Sequence, residues 1–124
     1  MEAAAVDTPT TGPVDRVLGA ARTVRADLDA LEAHRFEIAT EWAALHPGDE
    51  VDGSVPWEER ELEVAGDGAP TVAEFCIAEL AAALGMSTDA GRRFVGDAVE
   101  TKHRLPRLWD RVMSLEVELV KISV

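Results

Sequence analysis

The chain has 124 residues, the length of one ordinary domain, and its 24 acidic and 12 basic side chains give a formal net charge of −12. This charge excludes a generally basic nucleic-acid coat, and a hydrophobic content of 47% is enough for a core without disulfides. Only 5% of the residues are aromatic, whereas Ala, Val and Leu are abundant, which favours helices. We predict an all-α fold with a long N-terminal helix and a helix-turn-helix-like helical bundle.

Residues 1–13 are small and polar, and we predict that they are disordered and precede a single helical domain over 14–124. They lack the basic start and apolar run of a signal peptide, and no apolar stretch approaches the ~18 residues that cross a bilayer. Cys76 is the only cysteine and lies between Phe75 and Ile77, a setting typical of a core residue. We therefore expect a cytoplasmic protein with no membrane partner.

A regular apolar pattern predicts one helix over 14–45, about 48 Å long. Its apolar residues recur every seven positions along two rows, which together form a heptad seam interrupted only by Arg35. The first row is Val14, Ala21, Leu28, Arg35 and Trp42; the second is Val17, Val24, Leu31, Ile38 and Leu45. A seam of this length must be covered. Either the rest of the chain folds back over it, which we slightly prefer, or a second copy covers it as a coiled coil.

Residues 46–70 form an acidic linker rich in Pro and Gly, with no sustained period, and we expect it to be mobile or functional. Trp57 and the run Leu62-Glu63-Val64 could attach it to the helices. A helical core follows over 71–113 and a short tail over 114–124, in which we predict that Glu116–Val124 is weakly helical. The pattern Thr71-Val72-Ala73-Glu74 resembles a capping box, so the next helix is predicted to begin at Thr71.

The predicted helix from Thr71 to Leu84 is apolar on nearly all sides, which is typical of the centre of a bundle. Gly85 ends it, Ser87 can cap a third helix from Thr88 to about Arg104, and Leu105-Pro106 separates that helix from a fourth one ending at Met113.

The stretch LAAALGMSTDAGRRFV has the outline of a helix-turn-helix, whose second helix reads bases in the major groove. Residues 86–113 carry six basic and four acidic side chains, whereas residues 1–85 carry five basic and 18 acidic ones. The six cations are the DNA-binding candidates: Arg92, Arg93, Lys102, Arg104, Arg107 and Arg111. A plain helical hairpin is the stronger interpretation, because Arg93 and Arg104 each stand four residues from a carboxylate and a net +2 is small for DNA binding.

No catalytic or metal-binding motif is present in the sequence. His34, His46 and His103 are far apart, none belongs to a HExxH helix, and there is no phosphate-binding glycine loop. We expect no cofactor, no metal and no active site in this chain.

The stretch VAEFCIAELAAALGMSTDAGRRFVGDAVETKHRLPRLWDRVMS, with FEIATEWAALHPGD and GDGAP before it, resembles an actinobacterial family (domain of unknown function 222). The resemblance extends from about Val24 to Met113. It implies a helical module of the kind that precedes an HNH endonuclease domain, whose catalytic residues this chain lacks. The family-like positions are Glu79, Leu80, Gly85, Ser87, Gly91, Arg92, Arg93, His103, Arg104, Leu105, Pro106 and Trp109.

Members of that family tend to continue after the equivalent of Trp109 with Gly and a further basic helix, whereas this chain continues with Leu115 and Glu116–Val124. We therefore expect a shortened bundle whose apolar second helix is partly exposed. Several family-like positions have structural interpretations: Gly91 permits close helix approach and Trp109 fills the core.

Two functions follow as hypotheses. The first is a non-catalytic module that assists DNA association or the assembly of a separate nuclease polypeptide. The alternative is a protein-interaction module that forms a homodimer through the interaction seam, which consists of Val17, Val24, Leu28, Leu31, Ile38 and Trp42.

Overall fold

The computed structural model describes residues 12–52 and 59–114. Its four helices are α1 (Pro13–Leu45), α2 (Glu74–Ala83), α3 (Thr88–Arg104) and α4 (Pro106–Met113). A 3-10 turn (Gly48–Glu50) and two short strands, β1 (Glu61–Leu62) and β2 (Val72–Ala73), lie between α1 and α2. The predominantly all-α architecture is confirmed. The predictions for residues 1–11, for Trp57 and for the tail 115–124 fall outside the described residues.

Helix α1 is a single helix of 33 residues that ends at Leu45, as predicted, and begins at Pro13, one residue before the predicted start. Pro13 belongs to the helix and not to the disordered segment, because proline fits the first helical turn, where its missing N–H leaves no hydrogen bond unmade. Its buried residues all lie in its second half and form what we call the core face: Ala33, Phe36, Ala39, Thr40 and Ala43. Four of these five side chains are small, so the rest of the chain can approach the helix axis closely. Among the described residues, nothing before Ala33 in α1 is buried.

Helix α3 is the centre of the bundle, since it packs against α1, α2 and α4. The prediction of a central α2 was therefore wrong. Only one face of α2 is buried, through Cys76, Ile77, Leu80 and Ala81, while Phe75 remains exposed. Helix α3 can occupy the centre because it approaches α2 closely at Gly91. A Cβ on Gly91 would lie 2.5 Å from the Cβ of Ala81, so only glycine fits there. The predicted role of Gly91 is confirmed.

The predicted capping box at Thr71 was also wrong, because Val72–Ala73 forms β2 and α2 begins at Glu74. Glu61 stands opposite Ala73 and Leu62 opposite Val72 in the antiparallel ladder. The Thr71 hydroxyl donates to the Glu61 carboxylate and does not cap the helix. Instead, Glu59 accepts a hydrogen bond of 2.8 Å from the Phe75 N–H, so a carboxylate from the preceding segment caps α2.

The described part of the 46–70 segment is attached to the bundle. Leu62, Val64, Ala65 and Ala69 are partly buried against the core, as predicted for the Leu62–Val64 run. The Gly66 N–H donates to Glu100 of α3 at 2.8 Å.

The turn from α2 to α3 matches the prediction. Gly85 has φ +74°, a left-handed conformation that favours glycine, and the Ser87 hydroxyl accepts a hydrogen bond of 3.1 Å from the Ala90 N–H. Helix α3 spans the predicted residues, and α4 follows the break at Leu105-Pro106.

Candidate interaction surface

The first half of α1 presents an exposed apolar stripe, which we call the exposed seam: Val14, Val17, Ala21, Val24, Leu28 and Leu31. Val17, Val24, Leu28 and Leu31 have between 52% and 59% of their surface exposed. Leu18 beside them is 46% exposed, and the heptad analysis missed it because it flanks the seam. Surface residues of this size occur singly on most proteins, but a continuous row over about 27 Å is typical of an interaction site.

The chain does fold back on α1, but it covers a different face from the heptad seam. At 100° per residue, the centre of the core face lies roughly 140° around the helix axis from the seam positions of the same half. Of the predicted interaction seam, Ile38 and Trp42 are partly buried against the core, while Val17, Val24, Leu28 and Leu31 remain exposed. The expectation that fold-back covers the seam is therefore wrong for the first half of the helix.

Arg35, the polar interruption of the seam, is held by the bundle. Its guanidinium lies 2.8 Å from a Glu32 carboxylate oxygen and 5.0 Å from the centre of the Phe94 ring. Phe94 in turn packs on Phe36 of the core face, with ring centres 5.5 Å apart. Arg35 thus marks the point where α1 passes from the uncovered half into the packed half.

The exposed half of α1 is electrically neutral within a strongly acidic chain. Residues 13–31 contain three acidic and three basic side chains, whereas residues 32–114 contain 17 acidic and eight basic ones, a net of −9. Two molecules that carry large like charges repel each other, so the neutral segment is the surface along which two copies can approach most readily.

The six predicted DNA-binding cations are all exposed, yet they do not form one helical stripe. Arg93 and Arg104 are eleven residues apart and share one side of α3, while Arg92 and Lys102 lie on other sides. The Lys102 ammonium sits 5.6 Å from the centre of the Trp109 ring, which stacks on Phe36 in the core. The predicted packing role of Trp109 agrees with this position.

Arg104 belongs to a local network at the end of α3. Its guanidinium lies 2.8 Å from a Glu100 carboxylate oxygen, as the four-residue spacing predicted. The Gly66 N–H donates to the same carboxylate. This hydrogen bond, together with the weaker effects of the Arg104 hydrogen bond and charge, outweighs desolvation and lowers the pKa of Glu100 below its ordinary value near 4.5. Arg107 and Arg111 lie on α4, where they line a shallow groove with Leu105 and Pro106.

The remaining polar candidates are scattered. His34 is exposed on α1, and His46 shares a hydrogen bond of 2.9 Å with the Trp42 carbonyl. Partial desolvation, followed by the charge of Lys102, lowers the pKa of His103. Within residues 12–52 and 59–114, no three His, Cys, Asp or Glu side chains are grouped to hold a metal ion. Cys76 is 2% exposed and burial raises its pKa to about 11, which fits its predicted place in the core.

No family model, curated protein or solved structure matches this chain. The resemblance to the nuclease-associated family therefore stays a prediction. In the part of the chain that the structure describes, no helix has the length and apolar character to cross a membrane.

Proposed function

We propose that this chain is a helical protein-interaction module that self-associates through the exposed seam of α1. The observation that carries the proposal is the row of exposed Val and Leu side chains over 14–31, which precedes the first buried residue of α1, Ala33. An isolated helix of about this length is only marginally stable in water, so a partner over the seam stabilises the helix as well as burying apolar surface.

Sedimentation equilibrium over about 1 µM to 1 mM protein tests this proposal. The wild type is expected to pass from monomer to dimer within that range. Leu28→Glu or Leu31→Glu is expected to weaken the dimer by roughly 100-fold or more, because each dimer then buries two unpaired carboxylates. Ala26→Glu is the matched control, since it adds the same charge at an exposed position off the seam. A wild type that stays monomeric at the highest concentration contradicts the proposal.

A second candidate function, association with DNA or with a separate nuclease polypeptide, is supported by one observation. Arg92 and Arg93 are exposed near the start of α3, directly after the tight turn at Gly85, where a recognition helix would present its base-reading residues. Both arginines are among the family-like positions of the predicted resemblance. A cytoplasmic location belongs to the same proposal and is supported by the single buried cysteine of the chain.

The DNA candidate is tested by measuring affinity for duplex DNA as a function of salt. Arg92→Ala with Arg93→Ala is expected to lower the affinity and to reduce the slope of log affinity against log salt by about 2, because two cations leave the DNA surface. The double variant Arg22→Ala with Arg25→Ala removes the same charge from α1 and is expected to leave the slope unchanged. Binding that does not depend on salt would exclude this function.

A further inference from the structure

We infer that two copies of the chain meet along the exposed seam in an antiparallel arrangement, with Val14 of each copy beside Leu31 of the other. This inference rests on the proposed self-association and specifies its geometry. Three kinds of observation support it: the sizes of the seam side chains, the charges that flank them and the position of the bundle on α1.

Side-chain size distinguishes the two orientations. The seam carries Val14 and Val17 at its start and Leu28 and Leu31 at its end. In parallel, Val would face Val at one end and Leu would face Leu at the other, so the gap between the helices would widen along the seam. In antiparallel order the outer layers pair Val14 with Leu31 and Val17 with Leu28, and Ala21 meets Val24 at the centre. Each outer layer then has the same volume, which suits uniform packing between two helices.

The flanking charges also favour the antiparallel order. In a parallel, in-register pair, Asp27 lies beside Glu32 of the second copy, and this like-charge contact occurs twice by symmetry. In the parallel pair of helices the seam also extends to Arg35, so the two Arg35 side chains face each other. In the antiparallel order Asp27 lies beside Ala20, and Arg25 lies beside Leu18, whose exposed side chain the arginine stem can cover. In this order the two helices overlap over residues 14–31, so Glu32 and Arg35 lie outside the paired region.

The rest of the molecule repels its equivalent in a parallel pair. Residues 32–114 carry a net charge of −9, and parallel helices would place two such bundles side by side. In the antiparallel order the first buried residue, Ala33, lies about 30 Å from its equivalent, calculated at 1.5 Å per residue. This separation exceeds the Debye length of about 8 Å at physiological salt, so the two bundles hardly repel each other.

Cysteine cross-linking separates the two orientations. Val17→Cys and Leu28→Cys are each introduced into the otherwise wild-type chain, oxidised separately and as an equal mixture, and examined by intact mass spectrometry. The native Cys76 is buried and has a raised pKa, so the oxidised wild type serves as the control for its reactivity. Sedimentation at the same concentration reports whether each sample is dimeric.

The antiparallel order predicts a mixed disulfide between Val17→Cys and Leu28→Cys at about tenfold higher yield than either same-residue disulfide. Identical positions would then lie about 17 Å apart along the axis, far beyond the ~7 Å that a disulfide permits between Cα atoms. Efficient cross-linking within each separate variant overturns the antiparallel order but leaves self-association intact. A dimer that cross-links in no sample also overturns the inference, and a monomer in every sample refutes the proposed self-association itself.

Discussion

The first half of α1, up to Leu31, and the second half, from Ala33 to Leu45, continue the same heptad but differ in what lies beside it. In the second half the bundle packs on the core face, where Phe36 is 3% exposed. In the first half none of the residues is buried, and Leu28 is 52% exposed. The comparison teaches that a heptad predicts a helix, while small side chains such as Ala39 determine which face the chain folds against.

Phe36→Ala is expected to have the largest effect on this comparison. The ring of Phe36 packs between Phe94 and Trp109, with centres 5.5 and 6.3 Å away, so its removal leaves a cavity in the core. We expect a loss of about 3–5 kcal/mol in the free energy of unfolding, measured by urea denaturation.

Leu28→Ala provides the matched variant in the uncovered half. Measured on dilute, monomeric protein, it is expected to change the free energy of unfolding by about 0.5 kcal/mol or less, because Ala and Leu have similar helix propensities. Equal effects of the two substitutions in the monomer would refute the distinction between the halves.

Substitutions of two glycines, one in each part of the molecule, are expected to have effects of intermediate size on the free energy of unfolding. A Cβ on Gly91 meets Ala81, whereas a Cβ on Gly19 in the first half of α1 meets nothing within 4 Å. Gly91→Ala is expected to lower the free energy of unfolding by about 1–3 kcal/mol through overpacking. Gly19→Ala is expected to raise helix stability by about 0.5–1 kcal/mol. Thermal denaturation of both variants checks the opposite signs, and destabilisation by Gly19→Ala would indicate a covered first half.

A pH-dependent effect is expected at Glu100, in the covered part of the molecule. Its folded-state pKa is lowered, mainly by the Gly66 N–H, so its stabilising contribution is present above pH 4.5 and is lost as the pH falls through the lowered pKa. Urea denaturation between pH 7 and pH 3 is expected to show a smaller acid-dependent loss of stability for Glu100→Gln than for the wild type. An identical pH profile of stability in both proteins would contradict the stabilising role of the Glu100 carboxylate.

Local sequence patterns predicted α1, α3 and α4 with bounds close to those observed. The start of α2 was not predictable in the same way, because Thr71–Ala73 pairs with residues about ten positions earlier, and this ladder overrides the local capping pattern. The central position of α3 depends on Gly91 meeting Ala81 of another helix, a contact that apolar periodicity cannot reveal.

The candidate surface was predicted only in part. The heptad identified Val17, Val24, Leu28 and Leu31, but it could not show that the bundle would leave these residues uncovered and partly bury Ile38 and Trp42. Phe36 is the one aromatic residue on a stripe otherwise made of Ala and Thr, and this was the available signal for the core face.

Hydrogen exchange of α1 at two protein concentrations tests the central claim most directly. In dilute protein, amides 17–31 are expected to exchange quickly and amides 36–45 slowly, because only the second half is held by the bundle. Raising the concentration into the dimer range is expected to protect amides 17–31 and leave amides 36–45 unchanged. Protection of the first half that does not depend on concentration would contradict self-association through the exposed seam.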